Sequence, residues 1–190
     1  MKKRWRFALT LLAAVLFLTS GCSSNKPDPK YDFITFFHDS PQLDKNLMVV
    51  GEMKGYMKVG DNRTLIESVV GTVDSLHTGI WAKYEKAADG VRGDDTVISM
   101  MTDQTNKTTM YGTSLNSNYA DLIPAYAKDK DVTVELDTKT KVVFSKVIDG
   151  VKYTVTYRNY ANSGDVKTIT ITDTEKYTES DGDYPQYKTN

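Results

Sequence analysis

The side chains able to do chemistry in this chain are few and scattered: one cysteine, Cys22, and two histidines, His38 and His77. A thiol can act as a nucleophile, a metal ligand or an acylation point, and an imidazole as a base or a metal ligand. The two histidines fall in different predicted elements, with no carboxylate or second ligand at metal spacing, so each reads as a surface or capping residue. No serine stands in a Gly-x-Ser-x-Gly elbow. Acidic residues gather twice, as Asp89, Asp94 and Asp95 and as Glu179, Asp181 and Asp183. Neither group has the twelve-residue alternation ending in glutamate that a dedicated calcium loop requires, and both read as solvated loops. Gly51, Gly55 and Gly60 have the wrong spacing for a phosphate loop. Asn62-Arg63-Thr64 and Asn106-Lys107-Thr108 are glycosylation sequons, of consequence only in a host that glycosylates. These residues predict no catalytic, cofactor or metal site.

Cys22 differs from the rest because of what precedes it. Lys2, Lys3, Arg4 and Arg6 form a positive start, Phe7 to Leu18 an apolar run too short to span a bilayer, and Leu18-Thr19-Ser20-Gly21-Cys22 ends it in small residues. This arrangement resembles the precursor of a bacterial lipoprotein, with Thr19 where that class usually carries an aliphatic residue. The resemblance covers residues 1–22 alone. It implies a signal peptide over 1–21, cleavage before Cys22, and a diacylglyceryl group on the Cys22 thiol. Two acyl chains on one residue anchor a protein stably where a single chain is marginal. The protein is therefore expected on the extracytoplasmic side of a cell membrane, tethered by Cys22.

Charge narrows the partners. The whole chain carries 24 basic and 25 acidic residues, a net charge of −1. Loss of residues 1–21 removes four basic residues and no acid, which leaves a mildly acidic chain. The remaining lysines and arginines are interspersed with acids, so nucleic-acid binding is not expected. With one cysteine no internal disulfide can form, and stability must come from packing.

The elements that must position any site follow. Residues 22–30 have the polar, proline-containing composition of a tether. Tyr31 to Phe37 is an aromatic cluster of core character, either strand or helix support. Ser40-Pro41 is a helix start, and Leu43, Leu47, Val50, Met53 and Met57 predict a helix over 41–59, with a strand carrying Val49, Met53, Met57 and Val59 inward as the alternative. Thr64-Leu65-Ile66-Glu67 has the form of a capping box, and the apolar spacing after it predicts a second helix over 65–88, antiparallel to the first through Gly60-Asp61-Asn62. Gly79-Ile80-Trp81 resembles the Gly-x-Trp start of lipocalins, but the helical spacing around it places it on this helix.

From Val132 the period changes to two. Strands with one wet face form a meander over 132–173, and Asp149-Gly150 is a two-residue hairpin signal that pairs 148 with 151, 144 with 155 and 142 with 157. Ile169 and Ile171 share the face of Phe144 if the 161–165 loop closes the last hairpin. Residues 96–104 and 107–115 are expected to pair with each other, followed by a short helix near Tyr119 to Ala127. The fold class is α+β, two N-terminal helices on an antiparallel meander, as one domain over 31–173 with a flexible tail over 174–190. The expected function is a non-catalytic binding or interaction module, of accessory, immunity or envelope-complex type, with a protein or amphiphile partner. The alternative is a carrier holding a lipid or other amphiphile between sheet and helices.

Overall fold

Asp149 and Gly150 both have positive φ, 54° and 85°, the backbone that a type I′ hairpin requires. The computed structural model of the chain describes residues 26–43, 49–71, 79–159 and 166–180. It is mostly β, with nine strands in two antiparallel sheets and few helices. In chain order these are β1 (Thr35–Leu43), β2 (Val49–Lys58), α1 (Arg63–Val70), β3 (Ile80–Glu85), β4 (Thr96–Thr102), β5 (Lys107–Thr109), α2 (Leu122–Tyr126), β6 (Thr133–Asp137), β7 (Lys141–Ile148), β8 (Val151–Arg158) and β9 (Thr168–Asp173). A 3-10 helix, Pro29–Ile34, precedes β1.

The meander and its register are as expected. Ile148 pairs with Val151, Phe144 with Val155 and Val142 with Tyr157, while Val155 and Tyr157 pair onward with Ile171 and Ile169. The short helix is also present, as the 3-10 turn Tyr119–Asp121 running into α2.

The N-terminal half departs from the sequence reading. Of the helix expected over 41–59, residues 41–43 end β1 and 49–58 form β2, as in the strand alternative, paired Phe36 with Met57 and His38 with Gly55, while 44–48 lie outside the described residues. The physical reason lies in glycine. It is a poor helix residue, and at Gly55 it admits α1, since a Cβ there would come within 2.9 Å of Val69 Cγ2. The helix expected over 65–88 ends at Gly71, whose φ is 82°. Asn62 rather than Thr64 caps it, accepting the Leu65 amide at 2.9 Å, and Glu67 turns to Arg63. Residues 80–85, expected on that helix, are β3. Gly79-Ile80-Trp81 thus opens a strand after all, yet the sheet it joins runs β3-β4-β9-β8-β7-β6 and is open at β3 and β6, not a closed barrel. The expected pairing of 96–104 with 107–115 is also corrected: β4 lies between β3 and β9, and β5 pairs with β1 to complete the smaller sheet, β2-β1-β5.

One apolar face of the large sheet carries Met100, Ile171, Val155 and Phe144 in a cross-strand row, all fully buried. Phe33, Phe36, Met57, Ile66, Leu122 and Tyr126 cover it. The opposite face is wet only in part: Val147 and Lys152 on it are exposed, whereas the area over β4 and β9 is covered. Ser99, Met101, Thr156, Thr170 and Thr172 on it are at most 4% exposed. Ser99 and Thr172 tolerate this by bonding each other, Oγ to Oγ1 at 2.8 Å. The segment after β9, expected to be flexible, crosses this face as far as it is described. Glu179 meets Arg158 at 3.2 Å and accepts from Thr170, and Lys176 donates to Glu85 at 2.5 Å.

Candidate functional site

The 3-10 helix begins where Asp28 caps it and Pro29 fills its first position, with Lys30 donating its amide to Asp28 Oδ1 at 2.9 Å. Its first turn leans on the hairpin loop. Lys30 Nζ and Tyr31 Oη, at 3.0 Å for the latter, both donate to the Asp149 carboxylate. The last residues of the expected tether are thereby held against the β7–β8 turn.

One turn further, Asp32 faces a cleft of about 320 Å³ lined also by Pro29, Met110, Tyr111, Ala125, Lys128 and Asp129. Three separated stretches build it. The 3-10 helix supplies Pro29 and Asp32. The tight turn after β5, closed by the Gly112 amide on the Thr109 carbonyl at 2.9 Å, supplies Met110 and Tyr111. Ala125 belongs to α2, and Lys128 and Asp129 follow it.

A stack of rings fixes the wall. Tyr126 lies on Phe144 at 4.1 Å on one side and on Tyr111 at 4.2 Å on the other, with Phe33 edge-on to both tyrosines. Tyr126 is further held through hydroxyl bonds, to Tyr157 at 2.7 Å and from Tyr157 to Thr113 at 2.6 Å. Burial pushes the Tyr126 and Tyr157 hydroxyls upward, the latter to about 12, so both stay protonated.

At the mouth, Tyr111 Oη donates to Asp129 Oδ2 at 2.5 Å and Lys146 Nζ donates to the same oxygen at 2.7 Å. Burial opposes ionisation of Asp129, but the Lys146 and Tyr111 hydrogen bonds hold its carboxyl below the usual range. Burial and the hydrogen bond to Asp129 push the Tyr111 hydroxyl well above its ordinary value. Asp32 behaves differently. Its Oδ1 is buried and has no hydrogen-bond partner, and burial raises its carboxyl against the pull of Lys26 and Lys146, with Asp28 adding to the rise.

The residues singled out from the sequence lie elsewhere. Cys22, His77, Asp181 and Asp183 fall outside the described residues. Asp89, Asp94 and Asp95 do not converge. Asp89 Oδ1 accepts the Val91 amide, Asp95 Oδ1 accepts the Ala87 amide, and Asp94 is exposed. Among the described residues no three His, Cys, Asp or Glu side chains gather as a metal would need, and no helix is long and apolar enough to cross a membrane.

His38, read as a surface or capping residue, is 4% exposed on the inner face of β1, in the same cross-strand row as Gly55 and the fully buried Lys107. Its Nδ1 has no hydrogen-bond partner. Burial, reinforced by the Lys107 charge, lowers His38 to about 4, and burial lowers Lys107 to about 8. The unfolded chain takes a proton on this imidazole near its ordinary 6.5 and the folded one only near 4, so protonation favours unfolding throughout that window. Urea melts should therefore show roughly 1–2 kcal/mol lost through His38 between pH 7 and 5, and His38→Gln should flatten that slope. An unchanged slope would place the acid sensitivity elsewhere.

Asp32, Tyr111 and Asp129 were not found from the sequence. The one available signal was Asp32 itself, an acid inside the aromatic run Tyr31 to Phe37, where a carboxylate costs free energy unless something meets it. Compared with known proteins, the chain matches no protein-family model, no curated protein and no solved structure.

Proposed function

We propose that the protein is a lipid-anchored, extracytoplasmic binding module, non-catalytic, whose ligand site is the cleft at Asp32. The observation that carries this reading is the position of Pro29 on the cleft wall, seven residues after Cys22. Fully extended, seven residues span at most about 25 Å, so an acylated Cys22 keeps the cleft within that distance of the lipid surface. A preformed concave site with convergent polar groups and an aromatic wall is the usual form of a ligand site. The carrier alternative would need room over the apolar face of the meander. Tyr126 and Phe33 occupy the space above Phe144, which weighs for the binding module.

Met110 tests the reading, because it lines the cleft from a surface turn and is only partly buried. Met110→Trp should block the cleft with little effect on the melt. In a strain lacking the protein it should fail to restore the cellular phenotype, whereas His38→Gln at neutral pH should restore it. Full restoration by Met110→Trp would remove the cleft from the function. Failure of a folded His38→Gln would point to a titrating group instead.

A further inference from the structure

Charge bookkeeping at the cleft, on the reading that the cleft is the ligand site, leaves one carboxylate without a hydrogen-bonded counter-charge. Asp129 has two donors, Lys146 and Tyr111. Asp32 has a buried oxygen with none. The charged groups that act on Asp32 are Lys26 and Lys146, which favour its ionised form, and Asp28, which opposes it. Lys146 is already engaged by Asp129, and Lys26 is exposed. Lys128 also lines the cleft but is exposed to solvent. A partly buried carboxylate whose inner oxygen has no partner is costly to ionise, and a cationic ligand would supply that partner.

We propose that the cleft binds a compact ammonium group, with Asp32 as its counter-ion and the Tyr111 ring, Met110, Pro29 and Ala125 around its carbon atoms. The wall decides between an ammonium and a bare metal ion. Calcium takes six to eight oxygen ligands, whereas half of this lining is carbon or ring. Alkylammonium groups are instead met by one carboxylate together with aromatic and apolar surface. An anion would meet the unpaired Asp32 carboxylate, since Asp129 is already held by Lys146 and Tyr111. The volume, about 320 Å³, suits a small amine or a lipid headgroup and not a folded partner. Two sources offer this chemistry: a free alkylamine, and the ethanolamine headgroup of a membrane lipid.

The test uses the full chain with its methionine methyl groups labelled, so that the Met110 methyl reports on the cleft. Titration with ethylammonium chloride at pH 7 in detergent micelles should shift that signal saturably, and sodium acetate at the same ionic strength should not. Asp32→Asn should weaken binding at least tenfold while melting no lower than the parent, since it removes a buried charge and keeps the shape. Lys128→Ala should bind at least as tightly. Binding by the unaltered chain should fade on acidification as Asp32 takes up its proton, which burial shifts upward from the ordinary aspartate value. Nanodiscs separate the sources. A Met110 shift in phosphatidylethanolamine discs, absent in phosphatidylglycerol discs, identifies the headgroup; a shift with free ethylammonium alone identifies a soluble amine. No saturable shift with either overturns the proposal. An equal shift in Asp32→Asn also overturns it, yet that result would leave the cleft as a binding site for something else, which the Met110→Trp experiment measures separately.

Discussion

Phe144→Ala should lower the unfolding free energy by about 3–5 kcal/mol, read as a fall in the urea midpoint with an unchanged slope. The ring is fully buried, stacked on Tyr126 at 4.1 Å and edge-on to Tyr157 at 6.0 Å, and it lies across from Val155 on one side and Val134 on the other. Its removal opens a cavity on the apolar face of the sheet, and the stack cannot close over it without shifting Tyr126. That shift would also loosen Tyr111, so the cleft should lose order along with the core. Val147 provides the control. It stands on the same strand but 62% exposed, and Val147→Ala should cost under about 0.5 kcal/mol. Similar midpoints for the two variants would mean that β7 presents its other face to the core.

Cys22→Ala should abolish metabolic labelling with palmitate and at least partly release the protein from the membrane fraction. Cys22 is the only thiol in the chain, so no second residue can accept the thioether-linked diacylglyceryl group that the signal resemblance implies. Without acyl chains, the mature chain that the signal resemblance implies is mildly acidic, a charge that does not favour an anionic bilayer. Loss of label should be complete and release at least partial, because acyl burial contributes about 0.8 kcal/mol per methylene and that anchor is lost at once. Label retained in the alanine variant would refute the lipoprotein reading. Release with the cleft intact would separate location from binding, since ethylammonium should still reach Met110 in the released protein.

How far the sequence can be read varies along the chain for a physical reason. The meander was legible because its signals are local. Asp149-Gly150 demands a two-residue turn, the turn sets the register, and alternation then places Phe144, Val155 and Ile171 on one face. The N-terminal half was misread because the same residues satisfy both periods. Met53 and Met57 fit a helix four apart and a strand as well, and the deciding fact, that Gly55 leaves room for Val69, comes from an element further along the chain. The buried threonine face was hidden similarly. Thr156 and Thr170 look solvated until the segment carrying Glu179 returns over them.

By itself, then, the sequence determined the features that depend on neighbours in the chain: the short apolar run that ends at Cys22, the hairpin at 149–150 and the register that follows from it. The tertiary structure alone decided the cleft. Asp32, Tyr111 and Asp129 lie far apart in the chain, on a 3-10 helix, a turn after β5 and the exit of α2, and no spacing rule connects them. They meet because Tyr126 stacks between Phe144 and Tyr111, so the burial of one ring sets the wall of the site. The environment that raises Asp32 is likewise a property of the packed molecule, since desolvation depends on which atoms surround a carboxyl and not on which residues precede it.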